Sequence, residues 1–117
     1  MREKPNKDFS TFKKEFEFWM NKFGCTDWQV IFKYENLDNA NAEISRDAET
    51  RYAVVTLASN IPDDIKKFKP VSSLAKHEAI HLLLSNLYCL AQSRHVSNAE
   101  LATEEEKLVV KLVNLIL

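Results

Sequence analysis

A chain of 117 residues has room for one hydrophobic core, and 45% apolar against 28% charged residues is the balance of an ordinary globular domain. A net charge of −1 argues against a broad surface for nucleic acid or an anionic membrane, and the longest apolar run, around Ile80–Leu84, is far too short to span a bilayer. No apolar secretory segment follows the charged start Met1-Arg2-Glu3-Lys4-Pro5, and Cys25 and Cys89 show neither metal-type spacing nor a disulfide framework, so a reducing, cytoplasmic setting is expected.

Met1–Lys7 reads as a polar leader. From Asp8 onward, Phe9, Phe12, Phe16, Trp19, Met20 and Phe23 recur every three or four residues, as on an amphipathic helix with Lys13, Lys14, Glu15 and Glu17 in water. Gly24, the single glycine, stands where a left-handed residue ends a helix. The period then changes to two. Over Asp27–Asn36, Trp28, Val30, Phe32 and Tyr34 alternate with Gln29, Ile31, Lys33 and Glu35, which predicts a half-buried strand. Beyond a turn-rich connection, Ala42–Arg46 is a weaker strand and Asp47–Thr50 a hairpin turn. Arg51–Ser59 is the strongest strand. Its Tyr52, Val54, Thr56 and Ala58 face one way and the apolar Ala53, Val55 and Leu57 the other, so it is covered on both sides or packs beside the main helix.

Asn60 and Pro62-Asp63-Asp64 start a short helix ending near Phe68, and Pro70 with Ser72 and Ser73 marks the next entry. Leu74–Leu90 lacks Gly and Pro and is apolar nearly all round, which predicts one long helix in the middle of the fold. Ala91–Ser97 breaks the pattern, and Ser97 or Asn98 caps a terminal helix over Ala99–Leu117. That helix carries Leu101, Leu108, Val109, Leu112, Val113, Leu115 and Ile116 inward. The predicted fold is α+β in one domain over residues 1–117: an N-terminal helix, a three-stranded mostly antiparallel sheet, a central helix and a C-terminal helix.

The central helix contains His77-Glu78-Ala79-Ile80-His81, a complete H-E-x-x-H. Residues four apart share a helix face, so His77 and His81 can aim two imidazoles at one point. Glu78 lies about 100° round from His77, at the edge of the same arc. Two neutral nitrogen ligands with a carboxylate beside the metal rather than on it are what a hydrolytic zinc site requires. Chance matches to so short a pattern do occur, and two core histidines bonded to backbone carbonyls are the plain alternative. Cys89 lies eight residues after His81 but reads as a small hydrophobe.

The order helix, three strands, H-E-x-x-H helix, terminal helix resembles a minimal zincin metallopeptidase domain. From His77 on, H-E-A-I-H-L-L-L-S-N-L and then A-E-L-A-T-E-E-E-K-L-V-V-K-L-V-N-L-I-L resemble small phage- and prophage-encoded zincins. The resemblance implies a Zn²⁺ ion held by His77 and His81, with Glu78 as general base and a peptide or protein as substrate. It also implies that Arg51–Ser59, the strand before the active-site helix, borders the cleft and pairs with an extended substrate. No H-E-x-x-H-x-x-G-x-x-H extension and no second lobe are present.

The third ligand is sought in the terminal helix. Of the consecutive Glu104, Glu105 and Glu106, Glu105 falls four after Leu101 and three before Leu108, in the middle of the predicted buried stripe. An acid there needs a partner, and zinc is one. In the plain alternative all three acids sit exposed in the first turns and complement the helix dipole. The competitor is His95, fourteen residues after His81, a spacing similar to that of SprT-like zincins. Tyr52, Tyr88 and Arg94 are candidate donors to the oxyanion. Two functions follow: a zinc-dependent peptidase, or a non-catalytic metal-binding module that is structural or holds a partner. A nucleic-acid-tethered protease is disfavoured, because the chain has no basic module.

Overall fold

The computed structural model describes residues 6–93 and 95–115. Along the chain come α1 (Lys7–Lys22), β1 (Gln29–Glu35), β2 (Ala42–Asp47), β3 (Tyr52–Ala58), α2 (Asp63–Phe68), α3 (Val71–Leu83), α4 (Ser85–Ala91) and α5 (Asn98–Leu115). The expected α+β class holds. Most of the expected leader (residues 1–5), together with Arg94, Ile116 and Leu117, lies outside the described residues.

Helix α1 is closed at both ends by side-chain and backbone chemistry visible in the sequence. Asn6 Oδ1 accepts from the Phe9 N–H at 3.1 Å. At the other end Gly24 takes φ +73°, its N–H donates to Asn21 O at 3.1 Å and the Cys25 N–H to Met20 O at 3.0 Å. That paired closure needs a left-handed residue, which glycine adopts without steric cost. Phe12 and Phe16 are fully buried, with Phe16 edge-on to Phe32 of β1.

The sheet order is β1-β3-β2, with β3 parallel to β1 and antiparallel to β2. The sheet is thus mixed rather than mostly antiparallel. The reason lies in residues 36–41, which arch over the end of β3 and deliver β2 to its far side. Asn60 fastens that arch, accepting from the Leu37 N–H at 3.2 Å and donating to Leu37 O at 3.0 Å. The Ser59 hydroxyl adds a bond to Asn36 Oδ1 at 2.7 Å. Period-two patterning fixes which face a residue takes but not which strand sits beside which.

Strand β3 is apolar on both faces because it is central, not because helices cover both sides of the sheet. Val30, Phe32 and Tyr34, Ala53, Val55 and Leu57, and Ala42, Ile44 and Arg46 form the three rows that face the helices. The opposite face is open where Ile31 and Tyr52 are about half exposed, while Thr56 and Ala58 on it are buried. Helix α3 packs along α1 and reaches β2, and its fully buried Ala75 and Ala79, four apart, let the backbones approach.

The long helix expected over Leu74–Leu90 is two helices. It breaks at Leu84, where the buried Ser85 hydroxyl donates to His81 O at 2.9 Å. A hydroxyl bonded back to the preceding turn competes with the helical ladder and bends it. Helix α5 opens with a reciprocal cap: Ser97 Oγ accepts from the Glu100 N–H at 3.1 Å, and Glu100 Oε1 from the Ser97 N–H at 3.3 Å. Only Leu108 of α5 is buried. Val109, Leu112 and Val113, expected inward, are exposed, because the less exposed stripe of α5 runs through Leu101, Glu104, Leu108 and Leu115 instead. No helix among the described residues is long and apolar enough to cross a membrane.

Candidate active site

The bend at Leu84 leaves His77 and His81 together on the straight part of α3. Their ring centroids lie 4.9 Å apart with the planes 68° to one another, and both rings are on the exposed side of the helix. Glu78 turns the other way and is buried, at 6% exposure. Spacing within a single helix sets the two rings on one face of α3, while Glu78, one residue on from His77, turns inward.

Electrostatics distinguish the three. Burial raises the Glu78 carboxyl above its ordinary range, the positive charges of His77 and Arg46 pull it back, and Glu43 raises it further. Burial lowers His81, and the charges of His77 and Arg46 lower it more. A histidine so placed favours the neutral form, whose lone pair is free to coordinate. Arg46 and Glu43 both belong to β2, the strand that α3 reaches.

The remaining expected residues are placed differently. Glu105 is exposed, and the inward acid of α5 is Glu104, whose side chain is 14% exposed and 3.6 Å from Lys107 Nζ. The stripe that seats α5 runs through Leu101, Glu104 and Leu108, which turns Glu105 out. Glu106 and His95 are also exposed. Among the described residues no group of three or more His, Cys, Asp or Glu side chains is positioned to hold a metal ion. The donor set brought together is therefore the two imidazoles alone, two of the three protein ligands of a catalytic zinc.

Strand β3 cannot pair with an extended substrate, because β1 and β2 occupy both its edges. The free edge beside α3 belongs to β2. Tyr52 lies on the open face of the sheet, away from the helices, which removes it as an oxyanion donor; Arg94 lies outside the described residues. Tyr88 of α4 does approach, with the Arg46 guanidinium carbon 4.5 Å from its ring centroid. Comparisons with known protein families, with characterised proteins and with solved structures return no match to this chain.

Sequence reasoning missed two arginines. Arg46 is the one charged side chain in the helix-facing rows of the sheet. At the end of a weak strand it reads as a turn residue, and only the register reveals its direction. Arg51 takes φ +59°, bonds Asn86 Oδ1 of α4, pairs with Asp27 at 2.8 Å and lies 4.8 Å over the Trp28 ring. These residues flank a cavity of about 910 Å³ between the α1–β1 turn, α4 and α5, which His77, Glu78 and His81 do not line.

Proposed function

We propose that the chain is a metal-dependent hydrolase of peptide bonds, with His77 and His81 holding one zinc ion and Glu78 acting as general base. The observation that carries this reading is the convergence of two imidazoles, 4.9 Å apart, beside a buried carboxylate. When bound, zinc supplies Lewis-acid polarisation of a carbonyl and acidification of water. Glu78 takes a proton from the attacking water and hands it to the leaving amine. Its raised pKa suits that exchange, and the charges of His77 and Arg46 keep the carboxylate available. An extended substrate lies along the free edge of β2, where main-chain hydrogen bonds hold it beside α3.

We propose the third protein ligand among the acids of α5, none of which is grouped with the histidine pair in the metal-free chain. Glu105 is the residue indicated by the sequence, and Glu104 is the one turned inward. Competitive zinc titration tests the whole assignment. Wild type is expected to bind one zinc per chain, and His77→Ala or His81→Ala to lose it. Glu105→Ala or Glu104→Ala, but not His95→Ala, is expected to weaken affinity at least about tenfold, or ~1.4 kcal/mol. Unchanged metal binding in both histidine variants would sink the reading.

A second reading draws on the absence of a third donor in the group among the described residues. The chain is then a non-catalytic metal-binding module whose site a partner completes. Zinc affinity that survives all three of the α5 and loop substitutions, with Glu78→Gln leaving metal content and every peptide unaltered, favours it.

A further inference from the structure

Arg46 stands beside this site with no ion-pair partner among the described residues. It stands opposite Ala53 on the helix-facing side of β2, in rows otherwise filled by Val, Ile, Leu, Ala, Phe and Tyr. Its guanidinium rests on the Tyr88 ring, and Nε is buried with no hydrogen-bond partner. The side chain belongs to the strand that α3 reaches. A positive charge turned toward an apolar layer is costly, and an unmatched buried donor adds to that cost. Arg51, in the turn before β3, provides the contrast, since its guanidinium is engaged by Asp27 and Asn86. An aromatic ring braces a guanidinium and fixes its plane while leaving its donors free.

We infer that Arg46 is the substrate-recognition residue of this site and that it receives a carboxylate of the substrate, next to the bond under attack. A planar guanidinium matches a carboxylate by two parallel hydrogen bonds. Arg46 also lies on the strand whose free edge would guide an extended chain past Glu78 and His81. The carboxylate is either an acidic side chain or the free C-terminus of the substrate. The assignment rests on the hydrolase reading for the word substrate, while anion binding by Arg46 is measurable without any hydrolysis.

The test uses the isotope-labelled, metal-free full chain at a pH above the ordinary histidine range. The buried Arg46 Nε–H is sheltered from solvent exchange and identified by its loss in Arg46→Lys. Three matched probes are titrated: N-acetyl-glutamic acid amide, with a side-chain carboxylate only; N-acetyl-glutamine, with a terminal carboxylate only; and N-acetyl-glutamine amide, with neither. At least one carboxylate probe is expected to shift the Arg46 Nε–H and Tyr88 ring signals along a saturating curve, and the tighter one identifies the source. The neutral amide leaves both signals in place. Arg46→Gln is expected to weaken the preferred probe at least about tenfold, and Arg46→Lys to retain part of the binding. Carboxylates that shift Arg46 no more than the amide does, in the wild type, overturn the inference whatever the variants do. So does undiminished binding in a folded Arg46→Gln. Zinc titration of the same sample separates the two readings. Carboxylate binding without zinc at His77 and His81 defeats the hydrolase and leaves the anion site, and zinc without carboxylate binding defeats Arg46 alone.

Discussion

Glu78 is held where its charged form is penalised, and that has a signed consequence for stability in the metal-free protein. Its folded-state pKa is raised, with burial as the main cause. The folded chain therefore binds the proton more readily than the unfolded one, and stability falls as pH rises from the ordinary carboxylate range through the raised value. Glu78→Gln should unfold at a higher temperature than wild type at neutral pH, with the gap closing on acidification. Thermal unfolding of the pair across pH checks this; a constant gap would mean that something other than ionisation sets it. His81 has the opposite sign. Its folded pKa is lowered, so its contribution is intact above the ordinary histidine range and is lost as pH falls through the lowered value. The pair of histidines and the glutamate were legible in the sequence because one helical turn fixes their geometry. Arg46 was not, since its role depends on Tyr88 and on strand register, which residues distant in sequence decide.

The elements were legible wherever a local rule closes them. Gly24 is the clearest case, because an added Cβ would meet only Lys111 Nζ, at 3.9 Å, which is ordinary contact. The cost of Gly24→Ala is therefore conformational, about 1–2 kcal/mol, readable from a urea denaturation midpoint at unchanged slope. Strand order was illegible, because it depends on how residues 36–41 are tied down rather than on any strand's own pattern. Asn60→Ala removes both side-chain bonds to Leu37 and is expected to cost about 1–2 kcal/mol by the same measurement. A neutral result would show that the arch holds its course without them. The bend at Leu84 was hidden for a similar reason: the run Leu82–Leu84 reads as uninterrupted helix, and only the buried Ser85 hydroxyl marks the break.

At the scale of the molecule, the chain extends 54 Å along its longest axis against 34 Å and 24 Å across, and α5 is its least embedded long helix. With Leu108 as its one buried residue, α5 should be the first element to open. Leu108→Ala is expected to strip hydrogen-exchange protection from α5 while α1, α3 and the sheet keep theirs; loss of protection everywhere would make α5 integral to the fold. The sequence had suggested a more deeply seated helix, because its apolar residues outnumber the places the body offers them.

Arg46 in β2 and Arg51 in the turn before β3 also act as rivets. Arg51 holds Asn86 and Arg46 holds Tyr88, so α4 is pinned to the sheet at two points on its length, while α5 is pinned mainly by Leu108. Unravelling that starts at the C-terminal end should therefore halt at α4, before it reaches the turn of α3 that carries His81. The bent joint at Leu84 works in the same direction, since an interrupted ladder transmits neither twist nor fraying as a continuous helix does. In the metal-free chain the histidine pair is insulated from motion of the terminal helix, and a chain lacking α5 is expected to keep the 4.9 Å spacing of its two imidazoles.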